Sequence, residues 1–244
     1  MELKIYKNNE ELSVEVAKWI TAYIVETLKK QNRFTLVLSG GGTPQKLNNL
    51  LAASPYKEKI DWSKLHIFWG DERFVPYTDE RNNAKMAFDT LLDHVPVPAA
   101  QIHRMKTENI IPEVAAGEYE IILHQYFPPS VPPAPTFDLV LLGMGDDGHT
   151  LSLFPGTHVM HEENKWATSL FLKQQDMFRV TLTAPVVNRA ARIAFLVTGP
   201  GKAEALQQVL EGDYQPDRYP SQVIKPTNGE VYWFVDKAAA SNLQ

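Results

Sequence analysis

The chain has no cysteine among its 244 residues. That excludes disulfides, thiolate nucleophiles and cysteine-based zinc sites together. No apolar run approaches the ~18 residues of a membrane-spanning helix. Lysines and arginines form no cluster, and the formal net charge is -5, so nothing favours a nucleic-acid partner. An anionic metabolite stays open, because the charge of a site can oppose that of the whole. Met1 to Lys7 alternate as a strand does and lack the charged-then-apolar layout of a secretory leader. The expectation is therefore a soluble, cytoplasmic protein. Its 44% hydrophobic residues suffice for one domain over residues 1–244, with no internal repeat.

What is present is a series of short apolar runs, each ending in glycine or charge. Leu3 to Tyr6 reads as a strand, and Asn8 or Asn9 caps a helix whose stripe is Leu12, Val16, Trp19, Ile20, Tyr23, Ile24 and Leu28. Phe34–Leu38, Leu65–Trp69, Phe137–Leu142 and Arg192–Thr198 read as buried strands. Shorter strands are expected at Ile102–Met105, Trp166–Leu170, Phe178–Thr183 and Val231–Val235. Helices are expected from Pro44 to about Ala52, from Asn82 or Asn83 to Leu92, over Pro112–Phe127, over Ala184–Arg189 and over Ala203–Leu210. Pro128, Pro129, Pro132, Pro133 and Pro135 form a rigid connector. Strands alternating with helices imply an α/β fold: a mostly parallel sheet in a three-layer arrangement.

Three strand ends carry candidate chemistry. Phe34–Leu38 runs into Ser39-Gly40-Gly41-Gly42-Thr43-Pro44. Strand, glycine loop and helix start together aim backbone N–H groups at an anion. The loop is neither the dinucleotide fingerprint nor the triphosphate P-loop. Tight strand–helix packing is the plainer use of such glycines, but the position and the Ser39 and Thr43 hydroxyls favour phosphate. Leu65–Trp69 ends in Gly70-Asp71-Glu72-Arg73, either solvated surface or an inward Arg73 fork suited to phosphate. The third is Gly143-Met144-Gly145-Asp146-Asp147-Gly148-His149-Thr150, which puts a titratable histidine just beyond a buried strand, where open α/β sheets bind ligands. The turn uses Asp146 and Asp147 most simply to accept backbone N–H groups. The other histidines show no spacing that makes a metal site.

Five segments together resemble the 6-phosphogluconolactonases, sugar-lactone hydrolases of the oxidative pentose phosphate pathway. They are Leu38 to Pro44; Gly70 to Arg73 with Val75-Pro76 and Asn83; Gly143 to Gly156; Arg179 to Thr183; and Gly199 to Ala203. The resemblance implies a Rossmann-like three-layer α/β/α fold with a few additional strands. It also implies a hydrolase that needs neither cofactor nor metal, acting on a small sugar-phosphate lactone as a monomer or small homo-oligomer. This sequence departs from the family at Gly42, where a serine or threonine is usual, and at Asn82, where a serine is frequent.

Hydrolysis of a δ-lactone needs a positioned water, a base and help for the oxyanion. A histidine suits the base, and the resemblance places it at His149. Asp71 or Asp146 is expected to orient the imidazole. Gly40, Gly41, Gly42 and Thr43, with Arg73 and Lys202, are expected around the phosphate. The alternative for Lys202 is to neutralise a helix-adjacent carboxylate or to be solvated, and Arg179 reaches either the substrate or a structural ion partner. The nearest rival, a sugar-phosphate isomerase or deaminase of the same fold, carries a Phe-Asn-Glu-Pro run. Here that run is Ser152-Leu153-Phe154-Pro155, without a carboxylate, and Arg73 stands where the deaminases have an aromatic. A non-catalytic sugar-phosphate sensor is the third reading; no DNA-binding appendage supports it.

Overall fold

The computed structural model of the chain describes residues 1–128 and 134–244. The chain begins with β1 (Glu2–Tyr6), α1 (Asn9–Leu28), β2 (Phe34–Leu38), α2 (Gly42–Leu51), β3 (Leu65–Trp69) and β4 (Asp71–Arg73). Then come α3 (Asn83–Thr90), β5 (Ile102–His103), α4 (Pro112–Tyr126), β6 (Leu139–Leu142), β7 (Ala167–Leu172) and β8 (Met177–Leu182). It closes with α5 (Ala184–Val187), β9 (Arg192–Val197), α6 (Ala203–Leu210) and β10 (Glu230–Asp236). Of the proline connector, residues 129–133 lie outside the described residues.

Local signals set the boundaries. Asn8 caps α1 by accepting from the Glu11 N–H at 3.0 Å, and the Glu11 carboxylate in turn accepts from the Lys7 N–H at 2.6 Å. α2 starts at Gly42, two residues before the expected Pro44. Gly41 takes φ +103°, a turn open to glycine, and Pro44 then fits within the first helical turn.

Among the described residues, seven parallel strands form one sheet in the order β1-β10-β9-β6-β2-β3-β5. Side chains alternate across it. Leu36, Leu38, Ile67, Trp69, Leu139 and Leu141 face one core with Leu12, Val16 and Ile20 of α1. Val37, Phe68, Val140, Leu142, Phe195 and Trp233 face the other with Tyr119 and Leu123 of α4. Each such side chain contributes about 1.5–3 kcal/mol on burial. This is the expected Rossmann-like three-layer α/β fold. The additional strands are β4, β8 and β7, an antiparallel sheet on the α4 side. No helix among the described residues is long and apolar enough to cross a membrane.

Gly70 joins the two sheets. Its N–H donates to Leu38 O at 3.0 Å, extending the β2–β3 ladder, and its carbonyl accepts from the Leu182 N–H at 2.8 Å. A Cβ there would come within 2.6 Å of Leu151 Cδ2, so a larger residue would have to displace the Leu151 side chain. The charged run after it is not solvated surface. It is strand β4, with Asp71 and Glu72 buried.

Candidate active site

The chain order β2, β3, β5 runs outward across the sheet, and β6 then returns to the other side of β2. The switch point lies between β2 and β6, so their carboxyl ends flank the crevice where such folds bind ligands. The two loops there are the glycine loop after Leu38 and the histidine turn after Leu142.

The histidine turn is closed by Gly145 N–H to His149 O at 2.8 Å and by Gly148 N–H to Gly145 O at 3.1 Å, with Gly148 at φ +78°. Ser221 ties it down from outside: its N–H and its hydroxyl both donate to Gly148 O at 2.8 Å. The imidazole lies directly on Gly145, where a Cβ would be 2.0 Å from Nδ1. Its other neighbour is the Phe154 ring, stacked at 4.1 Å between centroids. Leu151, just past the turn, holds φ +54°, a left-handed conformation unfavourable for leucine. Such strain persists where the surroundings impose it, and the Leu151 side chain packs over Gly70.

Asp147 orients the imidazole. Its Oδ1 is 2.6 Å from His149 Nδ1 and accepts the His149 backbone N–H at 3.0 Å. A carboxylate only accepts, so in the neutral imidazole the proton sits on Nδ1 and Nε2 is the acceptor. Burial pushes the Asp147 carboxyl up, but the hydrogen bond and charge of His149 more than cancel this and hold it below its usual value. The His149 side chain is 28% exposed, which leaves it open to water.

Neither expected carboxylate reaches His149. Asp71 is buried and accepts the Ser152 hydroxyl at 2.6 Å, with Arg179 Nη1 at 3.8 Å. Asp146 pairs with Lys202 on the surface. The signal for Asp147 was its place two residues before the histidine, where an aspartate accepts the i+2 N–H. That geometry brings the same oxygen to the ring.

The glycine loop packs on α3. A Cβ at Gly40 would lie 2.0 Å from Asn83 Oδ1. Thr43 Oγ1 is 2.8 Å from Thr198 Oγ1, so that hydroxyl is tied to the end of β9. No side chain caps α2, and Pro44 has no N–H, which leaves the Gly42 and Thr43 amides for an anion. Gly41, Gly42, Arg73, Asn82, Asn83 and Lys85 border one cleft of ≈ 470 Å³. Arg73 Nη1 donates to Arg81 O at 2.8 Å, and its buried Nε has no partner. His149 and Lys202 are not among the residues lining this cleft. Arg179 is buried; its Nη2 donates to Gln175, and its guanidinium lies 5.9 Å from the centre of the Phe154 ring.

Residues 7–233 match the family model described as glucosamine-6-phosphate isomerases/6-phosphogluconolactonase. The chain belongs to this family. A probable chloroplastic 6-phosphogluconolactonase of Oryza sativa subsp. indica is 39% identical over 253 residues, covering 100% of this chain and 77% of its own. A 6-phosphogluconolactonase of Synechocystis is 38% identical over 237 residues, covering 97% and 96%. The solved 6-phosphogluconolactonase of Trypanosoma cruzi superposes with a TM-score of 0.86 at 27% identity, covering 100% of this chain and 97% of that one. Here Ser152 turns to Asp71 and Phe154 stacks on the imidazole.

Proposed function

We propose that this protein hydrolyses 6-phospho-D-glucono-1,5-lactone to 6-phospho-D-gluconate, in the oxidative pentose phosphate pathway. The observation that carries the reading is the Asp147–His149 pair, which leaves Nε2 as a bare acceptor beside the switch-point crevice. His149 Nε2 takes a proton from water as the oxygen attacks lactone C1. The tetrahedral oxyanion collapses, the bond from C1 to the ring oxygen breaks, and the imidazolium returns the proton to that oxygen. The ring opens to a hydroxyl and a carboxylic acid, the base is regenerated, and the acid releases its proton to solvent to become the carboxylate.

In this reading Gly40 to Thr43 and Arg73 hold the phosphate, which sets the distance of C1 from His149. Lys202 and Arg179 stand beside the substrate, each already steadied by a carboxylate. Both sheets act as one domain, locked through Gly70. We infer that the enzyme works in the cytoplasm, alongside the sugar phosphates it acts on.

The test is a lactonase assay run beside a glucosamine-6-phosphate deamination assay on one purified sample. Turnover of the lactone above its spontaneous rate, without ammonia release from the amino sugar, is expected. Deamination without lactonase turnover would overturn the reading.

A further inference from the structure

Glu72 is fully buried, yet the mechanism does not use it. Its hydrogen bonds come from backbone: Oε1 accepts the N–H of Asn83 at 2.6 Å and of Arg73 at 2.8 Å, and Oε2 accepts the N–H of Ala84 at 2.8 Å. Asn83 and Ala84 are the first two residues of α3. The third, Lys85, already gives its N–H to Asn82, the ordinary cap of that helix, at 2.9 Å. The helix therefore has its cap without Glu72. A buried carboxylate is unfavourable unless its hydrogen bonds are complete, and these three are spent at one place. Two of them fix the backbone of Asn83 and Arg73, which border the cleft holding Gly41 and Gly42, and the third fixes Ala84 between the cleft residues Asn83 and Lys85.

Asn83 carries the effect onward. Its backbone is held by Glu72, and its Nδ2 donates to Asp71 O at 2.9 Å. With main chain and side chain both fixed, its Oδ1 forms the surface on which Gly40 lies, so closely that no Cβ could intervene. The same Glu72 oxygen holds the backbone of Arg73. One carboxylate thus sets the glycine loop and the arginine relative to each other.

We propose that Glu72 is a positioning residue for the phosphate subsite: through Asn83 and the Arg73 backbone it fixes the spacing between the Gly40–Thr43 loop and the Arg73 guanidinium. This rests on the phosphate assignment made above, and it adds a residue that touches no substrate. A charge that merely stabilised the fold would move melting alone. A positioning role moves affinity for phosphorylated ligands, with the chemistry at His149 left in place.

The experiment compares wild type with Glu72→Gln and Glu72→Asp, using calorimetric binding of 6-phosphogluconate, then kcat and KM on the lactone. Near-ultraviolet circular dichroism checks the fold. Binding is expected to weaken about tenfold in both variants, the size of one lost charge-assisted contact, with KM rising in step and kcat within about twofold. Aspartate retains the charge but not the reach, so it gives no rescue. Unchanged binding in a folded Glu72 variant, or a fall in kcat at constant KM, overturns the proposal. If neither Glu72 variant folds, Asn83→Ala decides, because it leaves the carboxylate in place. Its binding must weaken likewise, and unchanged binding overturns the proposal. Wild type that binds no 6-phosphogluconate would instead sink the lactonase reading itself, which keeps the two failures apart.

Discussion

Asp147 Oδ1 meets both the ring Nδ1 and the backbone N–H of His149, at 2.6 Å and 3.0 Å. One oxygen therefore sets the tautomer, the ring orientation and the local chain path of the same residue. Asp147→Ala should lower kcat by about 10²-fold, the low end of what a positioned general base contributes, with KM little changed. Asp146→Ala, which removes only the surface partner of Lys202, should lower kcat far less. Equal losses in steady-state assays would reject Asp147 as the orienting group.

His149→Ala should abolish turnover above the spontaneous rate, a loss of about 10²–10⁴-fold in kcat, with 6-phosphogluconate binding preserved in calorimetry. Gly145→Ala should approach the same phenotype without touching the base, since its methyl would occupy the space of Nδ1. Near-normal kcat in His149→Ala removes the residue from the reaction.

Gly42 opens on empty space, with nothing within 4 Å of an added Cβ. It is also the first residue of α2, where serine is a better helix residue than glycine. Gly42→Ser should melt no lower than wild type and lower KM by up to about tenfold, one hydrogen bond to a charged group. A folded variant with unchanged KM counts against phosphate at this loop.

Arg73→Ala should weaken lactone binding by about 1.5–3 kcal/mol, through loss of a charge-assisted bond to phosphate. The readout is KM, with kcat much less affected. A KM equal to wild type would move the phosphate elsewhere.

Burial pushes the Glu72 carboxyl up to about 7 from 4.5; hydrogen bonds from Asn83, Ala84 and Arg73 oppose this, and the Asp71 charge adds to it. Arg179 and Tyr119 also feel its charge. Between those two values the folded chain binds more protons than the unfolded one. The stability from this group is thus fully present below about 4.5 and is lost as pH rises through about 7. In paired melts from about pH 5 to about pH 8, the Tm difference should therefore move in favour of Glu72→Gln as pH rises. A flat or opposite trend would show that the group does not titrate in this window.

Apolar runs bounded by glycine and proline determined nearly every strand and helix, because burial on both faces of a parallel sheet leaves a continuous apolar signature. The three strand-end loops were legible for the same reason: glycines and hydroxyls crowd where the chain must turn sharply beside a ligand. The partners of polar side chains were not legible. Asp71, Asp146 and Asp147 are equally acidic on paper. Which one meets His149 depends on how Gly145, Gly148 and Ser221 fold the turn, and on Ser152 and Lys202 occupying the other two. The short run Asp71-Glu72-Arg73 left solvated surface and an inward Arg73 both open, because charge alone does not say which way a side chain faces. Only the tertiary structure, by pairing it with β8 and giving Glu72 three backbone donors, made it interior. Sequence determines which segments must be buried, since that is summed over many apolar atoms; which polar atoms meet is decided by ångström-scale geometry between segments far apart in the chain.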